Sequence, residues 1–441
     1  MTETISIDRM SYGPEAVGHL ESGKAVFVQG AVSGDVAEVR VTEEKPTFAR
    51  GVAEKLVQPS SLRAKGWESM AADASLMSVA PWAQLSYDAQ LAAKQDNVAS
   101  ALTRTAHLDA ARIDGILRPV APCERQWGYR NKLELAAVPD AQGRISLGFH
   151  ESGTEKVVAA KECRLGNRLL GKAPKSLTGA LRYLAGSNDL GIYRVGIRAS
   201  ERTGSVEVAL WTPPSSFPRN FAAKVLRDAV GATSVVRVIA DVGAARKVKR
   251  VEVLDGDGFW RERACGLDFS VSAPSFFQVN TAQAELLVDC AVQAVGPKPG
   301  MQVADLFAGV GMFSLALAEQ EADVVAVELE GSSSRDFRAN AEANGADAEI
   351  VCDDVRRVLP DLGSLDAVVV DPPRAGLHAD VVAQVAAAAP ETLAYVSCDP
   401  QTLARDIARF GQEGYAPVLV QPVDMFPQTY HVETVCVLAR V

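Results

Sequence analysis

The sequence predicts an α/β protein with a doubly wound, Rossmann-like sheet in its C-terminal third, after a small β-barrel and a mixed α+β region. In the last third, short apolar runs alternate with helical patterns, which is typical of a parallel sheet. The first part shows short strand patterns separated by turns. A chain of 441 residues also exceeds one ordinary domain. We therefore expect three parts, at residues 1–58, 59–274 and 275–441.

The N-terminal part is predicted to be a small β-barrel or sandwich. Its strand patterns are KAVFV, GAVSGD, VAEVRV and GVAEKLV, and VAEVRV alternates apolar and charged residues as a half-buried strand does. Such a module either binds nucleic acid or serves only for packing, and the pattern does not separate these alternatives.

The middle part combines helices with a sheet. Residues 59–118 show a helical pattern, and LSYDAQLAAKQDNVASAL within them predicts an amphipathic helix. Four strand patterns follow, KLELAAV, ISLGFH, YRVGIRA and SVEVALW. We expect these strands to form one sheet.

Composition excludes several classes of protein. With 48% apolar and 23% charged residues the chain resembles a folded globular protein. The start, MTETISIDRM, lacks the apolar core of a secretory signal, and no apolar run reaches the roughly 18 residues of a membrane span. The seven cysteines stand singly without a C-x-x-C pair, which argues against a disulfide framework and a zinc site. We expect a cytoplasmic protein with no membrane association, no metal and no obligate protein partner.

Charge is distributed unevenly along the chain. Residues 286–441 contain 9 Lys and Arg against 23 Asp and Glu, whereas residues 1–285 contain 36 against 32. Only the first 285 residues are therefore expected to attract a polyanion.

A glycine loop marks a predicted cofactor site. Gly309 and Gly311 follow the apolar strand VADLF, at the carboxyl end of a strand, where open α/β sheets bind ligands. Asp305 lies at the end of that strand. Its carboxylate would repel a pyrophosphate but suits the ammonium of a methionine moiety, so a nicotinamide dinucleotide fits poorly.

Two further acidic residues follow the next strands. Glu328 ends VAVELE, where a carboxylate can accept both hydrogen bonds of a ribose diol. Asp354 follows the third strand and is placed for an adenine amino group. Each acidic residue alone could equally cap a helix or turn. Together with Asp305 and the glycine loop, however, their order favours S-adenosylmethionine.

Later strands end in candidate reactive groups. Cys398 ends the apolar run AYVSC, Asp371 follows LDAVVV, and Glu433 precedes the strand-like TVCVLARV. An isolated cysteine is usually an inert buried residue, and Glu433 could be an ordinary surface carboxylate. The position of Cys398, on the rim that holds the glycine loop, makes it the candidate reactive thiol.

Taken together, these motifs resemble those of the bacterial RNA uracil-5-methyltransferases, the family of the tRNA and 23S rRNA m5U enzymes. The similar segments are DLFAGVGMF, VAVELE, VVVDPPRAGL, AYVSCDPQTLARD, DMFPQTYHVETV, PSFFQVN and YRNKLEL. The N-terminal module resembles a TRAM domain of the OB type. The resemblance spans nearly the whole chain.

The resemblance implies roles for individual residues. Cys398 would be the nucleophile, Glu433 the proton acceptor and Asp371 a neighbour of both methyl donor and target base. S-adenosylmethionine would be held by Gln278, Phe307, Glu328, Asp354 and Asp371, with Asp305, Gly309 and Gly311 from the loop argument. RNA, either 23S rRNA or tRNA, would contact Arg130 and Lys132, and its target uridine would be flipped into the pocket. Residues 86–118 would pack with the catalytic part.

Two departures from the family pattern stand out. Many members hold an iron–sulfur cluster with four cysteines, but residues 59–122 contain none, and Cys163 alone matches a ligand position. One thiol cannot hold such a cluster, so we expect none. Ala308 and Met312 replace the usual cysteine and polar residue of the glycine loop, which alters the expected contacts to the methionine end of the cofactor.

Two other functions stay open at this point. The chain could be an RNA-binding protein with an inactive methyltransferase domain, in which case the presence of Cys398, Asp371 and Glu433 would be a coincidence. It could also methylate an exocyclic nitrogen, because DPPR resembles the acidic-Pro-Pro loops that bind such a group. That chemistry has no use for Cys398.

Overall fold

The computed structural model describes residues 2–151, 154–243 and 247–441. Its N-terminal part is a closed five-stranded barrel with neighbours in the order β1-β2-β3-β5-β4. Alternate side chains such as Ile5, Val26 and Val39 fill the interior. The strands are β1 (Thr2–Met10), β2 (Ala16–His19), β3 (Ala25–Gln29), β4 (Val36–Glu44) and β5 (Phe48–Gln58). GAVSGD, expected as a strand, is the turn before β4, because Gly30 and Gly34 adopt φ of 83° and 82°.

Four helices follow the barrel: α1 (Trp67–Ala71), α2 (Ala74–Val79), α3 (Tyr87–Arg104) and α4 (Ala110–Ile116). Helix α3 corresponds to the predicted amphipathic stretch. Its apolar face, with Val98, Ala101 and Leu102, joins the core on one side of the C-terminal sheet. No helix among the described residues is long and apolar enough to cross a membrane.

The central part is a seven-stranded sheet in the order β12-β11-β10-β9-β6-β7-β8. Two helices, α5 and α6, pack on its apolar face through side chains such as Leu177 and Leu226. The four strand patterns predicted here form β6, β7, β9 and β10. The elements are β6 (Lys132–Pro139), β7 (Ile145–His150), β8 (Val157–Ala159), α5 (Ala173–Ala185), β9 (Arg194–Ala199), β10 (Val206–Thr212), α6 (Arg219–Val230), β11 (Ser234–Ile239) and β12 (Arg250–Asp255).

A second seven-stranded sheet forms the C-terminal part, in the order β17-β16-β15-β18-β19-β21-β20. A hairpin of β13 (Phe259–Ala264) and β14 (Leu267–Ser272) precedes it. The remaining elements are α7 (Thr281–Val295), β15 (Gln302–Leu306), α8 (Met312–Ala318), β16 (Asp323–Val327), α9 (Gly331–Asn344), β17 (Ala348–Val351), α10 (Val355–Val358), β18 (Ala367–Val370), α11 (Ala379–Ala388), β19 (Thr392–Ser397), α12 (Pro400–Gln412), β20 (Tyr415–Val423) and β21 (Glu433–Arg440).

Five strands of this sheet, β15 to β19, pair in parallel. Strand β18 is buried along its whole length, as expected when helices cover both faces of a parallel sheet. The predicted fold class, a doubly wound sheet after a barrel and an α+β part, is confirmed. The boundaries at residues 58 and 274 stay a prediction.

The loop between β20 and β21, residues 424–432, is anchored by helix α3. The fully buried Nζ of Lys94 lies 2.5 Å from Oδ1 of Asp424, and the Tyr87 hydroxyl donates to Oδ2 of Asp424 at 2.7 Å. Gln90 and Gln428 exchange two hydrogen bonds, of 3.0 and 2.8 Å. Burial lowers the pKa of the Lys94 ammonium, and the Asp424 carboxylate opposes that shift. This loop is therefore held by polar groups that water cannot reach.

We expect Lys94→Met to destabilise the C-terminal part by about 3–5 kcal/mol, because it leaves the Asp424 carboxylate buried without a cation. Differential scanning calorimetry measures the change in unfolding temperature. Lys55→Met is the matched control, since Lys55 pairs with Glu38 on the barrel surface and its loss changes little. Adding Asp424→Asn to Lys94→Met should recover much of the stability. Equal effects of Lys94→Met and Lys55→Met would contradict the anchoring role.

Candidate active site

The carboxyl ends of β15, β18 and β19 meet at one edge of the C-terminal sheet because these strands are parallel. Asp305 lies near the end of β15, Asp371 follows β18 directly and Cys398 follows β19 directly. Three of the predicted site residues are thus brought together by strand direction alone.

Glu433 reaches the same edge by the opposite route. Strand β21 runs antiparallel to β19, and Ser397 pairs with Thr434 in the ladder between them. Glu433 is the first residue of β21 and Cys398 follows the last residue of β19, so the two are neighbours at the end of this ladder. Glu433 is buried, with 3% of the residue exposed.

The loop after β15 bends sharply at the same edge. Phe307, Gly309 and Gly311 have φ of 69°, 58° and 99°, and a positive φ is costly for a residue such as Phe. A Cβ at Gly311 would lie 2.8 Å from the ring of Phe337, whereas a Cβ at Gly309 would meet open space. Gly311 therefore allows close packing beneath the loop, and Gly309 leaves room for a ligand above it.

Asp305 lies beneath this loop and is fully buried. The Ser314 hydroxyl donates to one carboxylate oxygen, while the other oxygen, Oδ1, has no hydrogen-bond partner among the described residues. Burial raises the pKa of Asp305 to about 7, and the charge of Glu328 adds to that increase. A buried acceptor oxygen without a donor is a candidate partner for a cationic ligand group.

The carboxylates of Glu328 and Asp354 already have partners within the protein. Glu328 accepts hydrogen bonds from the backbone N–H of Gly309 at 2.9 Å and of Glu330 at 2.6 Å. Asp354 caps α10 and binds the guanidinium of Arg356, with Nη2 at 2.6 Å. That hydrogen bond lowers the pKa of Asp354 to about 2. Glu328 thus holds the glycine loop through the Gly309 backbone. Asp354 caps a helix, which the sequence analysis left open as the alternative to cofactor binding.

Cys398 is half-buried among acidic groups. Burial, followed by the charges of Glu433, Asp371 and Asp399, raises the pKa of its thiol to about 12 against the opposing charge of Arg374. Burial also raises the pKa of Asp371, to about 7, with a contribution from Asp305. The pKa of Glu433 is raised well above its usual value by burial and by Asp371. Without a bound cation, the site therefore favours the protonated forms of all three groups.

Several groups around Cys398 were not predicted from the sequence. The Tyr12 hydroxyl donates to the Cys398 carbonyl at 2.8 Å, and Nε of Arg374 lies 3.2 Å from Oδ2 of Asp399. The ring centroids of His431 and Tyr430 lie 4.2 Å apart, and burial lowers the pKa of His431 to about 3. Arg374 lies in the DPPR motif, which was the available signal for it. No local pattern distinguishes Tyr12.

The predicted RNA-binding residues lie where the central sheet meets the C-terminal part. Asn131, between them, donates to the backbone carbonyl of Gln278 at 2.9 Å and so links the start of strand β6 to the segment before α7. Nε of Arg130 is buried and has no hydrogen-bond partner within the described parts of the chain. Nζ of Lys132, by contrast, lies 2.7 Å from Oε1 of Glu134. Of the two predicted cations, Lys132 is thus already paired.

Cys163, the residue at an iron–sulfur ligand position, lies in an apolar core with Leu76, Leu165 and Leu170. Within residues 2–151, 154–243 and 247–441, no group of three or more His, Cys, Asp or Glu side chains could hold a metal ion. The residues present do not fit an iron–sulfur cluster. Cys352 is exposed and follows Val351, the last residue of β17.

Comparison with known proteins identifies three matching regions. Residues 2–53 match the TRAM domain, residues 271–395 the methyltransferase small domain, and residues 359–441 the tRNA (uracil-5-)-methyltransferase family. An uncharacterized RNA methyltransferase of Thermosynechococcus vestitus is 33% identical over 99% of this chain and 98% of its own length. One from Gloeobacter violaceus is 31% identical over 100% and 96%.

A solved structure is similar over its whole length as well. The crystal structure of Pyrococcus abyssi tRNA (uracil-54, C5)-methyltransferase in complex with S-adenosyl-L-homocysteine covers 99% of both chains, at 26% identity and a TM-score of 0.74. These full-length matches confirm the resemblance found in the motifs. The chain belongs to the S-adenosylmethionine-dependent RNA (uracil-5-)-methyltransferase family.

Proposed function

We propose that this enzyme methylates carbon 5 of a uridine in structured RNA through a transient bond between Sγ of Cys398 and carbon 6 of the base. The observation that supports this most directly is the end of the β19–β21 ladder, where Cys398 and Glu433 are neighbours beside Asp371. One nucleophile and one proton acceptor at a single edge are what the reaction needs.

Carbon 5 of uracil is a weak nucleophile, and a covalent bond at carbon 6 removes that difficulty. The thiolate of Cys398 adds to carbon 6, and the electron pair of the ring double bond moves to carbon 5 and the adjoining carbonyl as an enolate. Carbon 5 then displaces the methyl group from the positively charged sulfur of the donor, and the electron pair of the broken carbon–sulfur bond stays on that sulfur, which leaves as a neutral thioether. Glu433 removes the proton from carbon 5, the double bond re-forms, and the bond between sulfur and carbon 6 breaks.

S-adenosylmethionine, when bound, supplies an electrophilic methyl group on a positively charged sulfur. We propose that it is held at the edge described above. The open space over Gly309 and the free oxygen of Asp305 support this placement. The residues that would hold it are Asp305, Phe307, Gly309, Gly311, Glu328, Asp354, Asp371 and Gln278. Because Asp354 already binds Arg356, an adenine contact there requires that both share its carboxylate.

The raised pKa values of Cys398, Asp371 and Glu433 suit this mechanism once a cation is present. A carboxyl whose pKa is raised by burial is a stronger base when it does ionise, which suits Glu433 as the proton acceptor. Arg374 is the positive group that favours the Cys398 thiolate. A positive charge beside Asp371 and Glu433 likewise favours their ionised forms.

We propose that the RNA is tRNA or 23S rRNA. The activity named for the Pyrococcus abyssi enzyme favours tRNA. Arg130, whose buried Nε has no partner among the residues that the structure describes, is the stronger candidate for an RNA contact, while Lys132 must first release Glu134. Methylation of an exocyclic nitrogen remains the second function to test, since it would not require Cys398.

From about pH 6 to about pH 8, the affinity for S-adenosylmethionine should increase about tenfold more than the affinity for S-adenosylhomocysteine. Asp371 has a pKa of about 7, so it is neutral below that pH and must lose a proton to attract the sulfonium. Asp305 also has a pKa of about 7, but it is expected to face the ammonium that both ligands carry, so its ionisation should affect both ligands equally. Isothermal titration calorimetry measures the two affinities. Parallel pH profiles for the two ligands would contradict this account.

RNA with 5-fluorouridine at the target should form an adduct with the enzyme that survives denaturation. Fluorine at carbon 5 cannot leave as a proton does, so the bond between sulfur and carbon 6 persists after methyl transfer. Intact-protein mass spectrometry detects the adduct. Transcripts of tRNA and of 23S rRNA fragments tested side by side show which RNA is the substrate.

Cys398→Ala should abolish both the adduct and methylation. Cys290→Ala is the control, because that partly buried thiol lies within α7 and not at a strand end of the catalytic edge. Methylation by Cys398→Ala at the wild-type rate would refute the covalent mechanism and support methylation of an exocyclic nitrogen.

A further inference from the structure

The turn between β1 and β2 of the barrel, residues 11–15, lies against the catalytic edge. From this turn the Tyr12 hydroxyl donates a 2.8 Å hydrogen bond to the carbonyl oxygen of Cys398. The Tyr12 ring lies edge-on to Tyr430, with 5.8 Å between ring centroids, and to His431, with 6.5 Å. One barrel residue therefore contacts both chain segments that provide the proposed nucleophile and proton acceptor.

The position of this turn is fixed by a second contact. Trp82 is fully buried between the barrel and the 424–432 loop. Its ring Nε1 donates to the carbonyl of Gly13 at 3.0 Å, and its backbone N–H donates to the carbonyl of Gln428 at 3.0 Å. Tyr430 also packs against the barrel core. Trp82 therefore holds both the barrel turn, through its side chain, and the 424–432 loop, through its backbone.

The peptide of Cys398 gains support from this arrangement. Cys398 lies between the last residue of β19 and Asp399, the residue that caps α12, so its carbonyl belongs to neither ladder nor helix. The hydroxyl of Tyr12 fixes the plane of that peptide, and the plane in turn directs the Cα–Cβ bond of the thiol. Small displacements of a reacting atom are costly in rate.

We propose that Tyr12 is a positioning residue for methyl transfer, so that the barrel helps to assemble the catalytic centre in addition to any role in holding RNA. This proposal rests on the function proposed above, with Cys398 as the nucleophile. Tyr12 itself does not need to ionise, and burial raises the pKa of its phenol, which keeps it a hydrogen-bond donor.

Tyr12→Phe tests the proposal, because it removes the hydroxyl and keeps the ring packed on Tyr430 and His431. The measurement is the single-turnover rate of adduct formation with saturating 5-fluorouridine RNA and S-adenosylmethionine. We expect this rate to fall about tenfold. The dissociation constants for RNA and cofactor should stay within about twofold of wild type.

Tyr415→Phe is the matched control. The Tyr415 hydroxyl is buried and donates to the Pro390 carbonyl at 2.8 Å, at the edge of the sheet opposite the catalytic one. Its loss should lower the unfolding temperature about as much as Tyr12→Phe but leave the adduct rate unchanged. This comparison separates a loss of stability from a loss of positioning.

Two results would overturn the proposal. One is a Tyr12→Phe rate within about twofold of wild type. The other is weaker RNA binding with an unchanged rate at saturation, which would make Tyr12 an RNA contact. If wild-type enzyme forms no adduct while it methylates uridine, the covalent function itself fails, and this outcome is distinct from both.

Discussion

The antiparallel pairing of β21 with β19 is the constraint on which the rest of the site depends. Parallel strands alone bring Asp305, Asp371 and Cys398 to one edge, but a fourth group on a returning strand joins them only if that strand starts there. Strand β20 runs toward the same edge, and the 424–432 loop reverses the chain so that Glu433 begins β21 beside Cys398. The buried pair of Lys94 and Asp424 holds this reversal in place. A helix distant in sequence thus stabilises the register that the proposed chemistry requires.

The acidic groups at this edge oppose folding and suit catalysis at once. Burial raises the pKa of Asp305, Asp371 and Glu433, so the folded protein holds their protons more tightly than the unfolded chain does. Their contribution to stability is therefore full below the unfolded pKa values and is lost as the pH rises through the folded ones. A cation at this edge reverses that preference. In the proposed mechanism these carboxyls both attract the methyl donor and accept a proton, so cofactor binding would also prepare Glu433 to act as the base.

Much of the fold and part of the site could be predicted from the sequence, because they depend on local patterns. Alternating apolar strands and helices indicate the doubly wound sheet, and strand ends locate Cys398 and Asp371. The contact of Tyr12 with Cys398 joins residues 386 apart, and the pair of Lys94 and Asp424 joins residues 330 apart. No local sequence pattern indicates contacts between residues so far apart in the chain. One signal was present: Gln90, Lys94 and Asn97 lie on the buried face of α3 with helical spacing, and polar residues on a core-facing stripe indicate buried partners.

The central claim is that carbon 5 of the uridine is methylated while its ring is bonded to Cys398, and that Glu433 then releases it. The most direct measurement is the mass of Glu433→Gln after reaction with unmodified substrate RNA and S-adenosylmethionine, followed by digestion and sequencing of the modified peptide. The account predicts that methylated RNA stays attached to the peptide that contains Cys398, because an amide cannot accept the proton from carbon 5. Free methylated RNA, formed at the wild-type rate without an attached peptide, would contradict it.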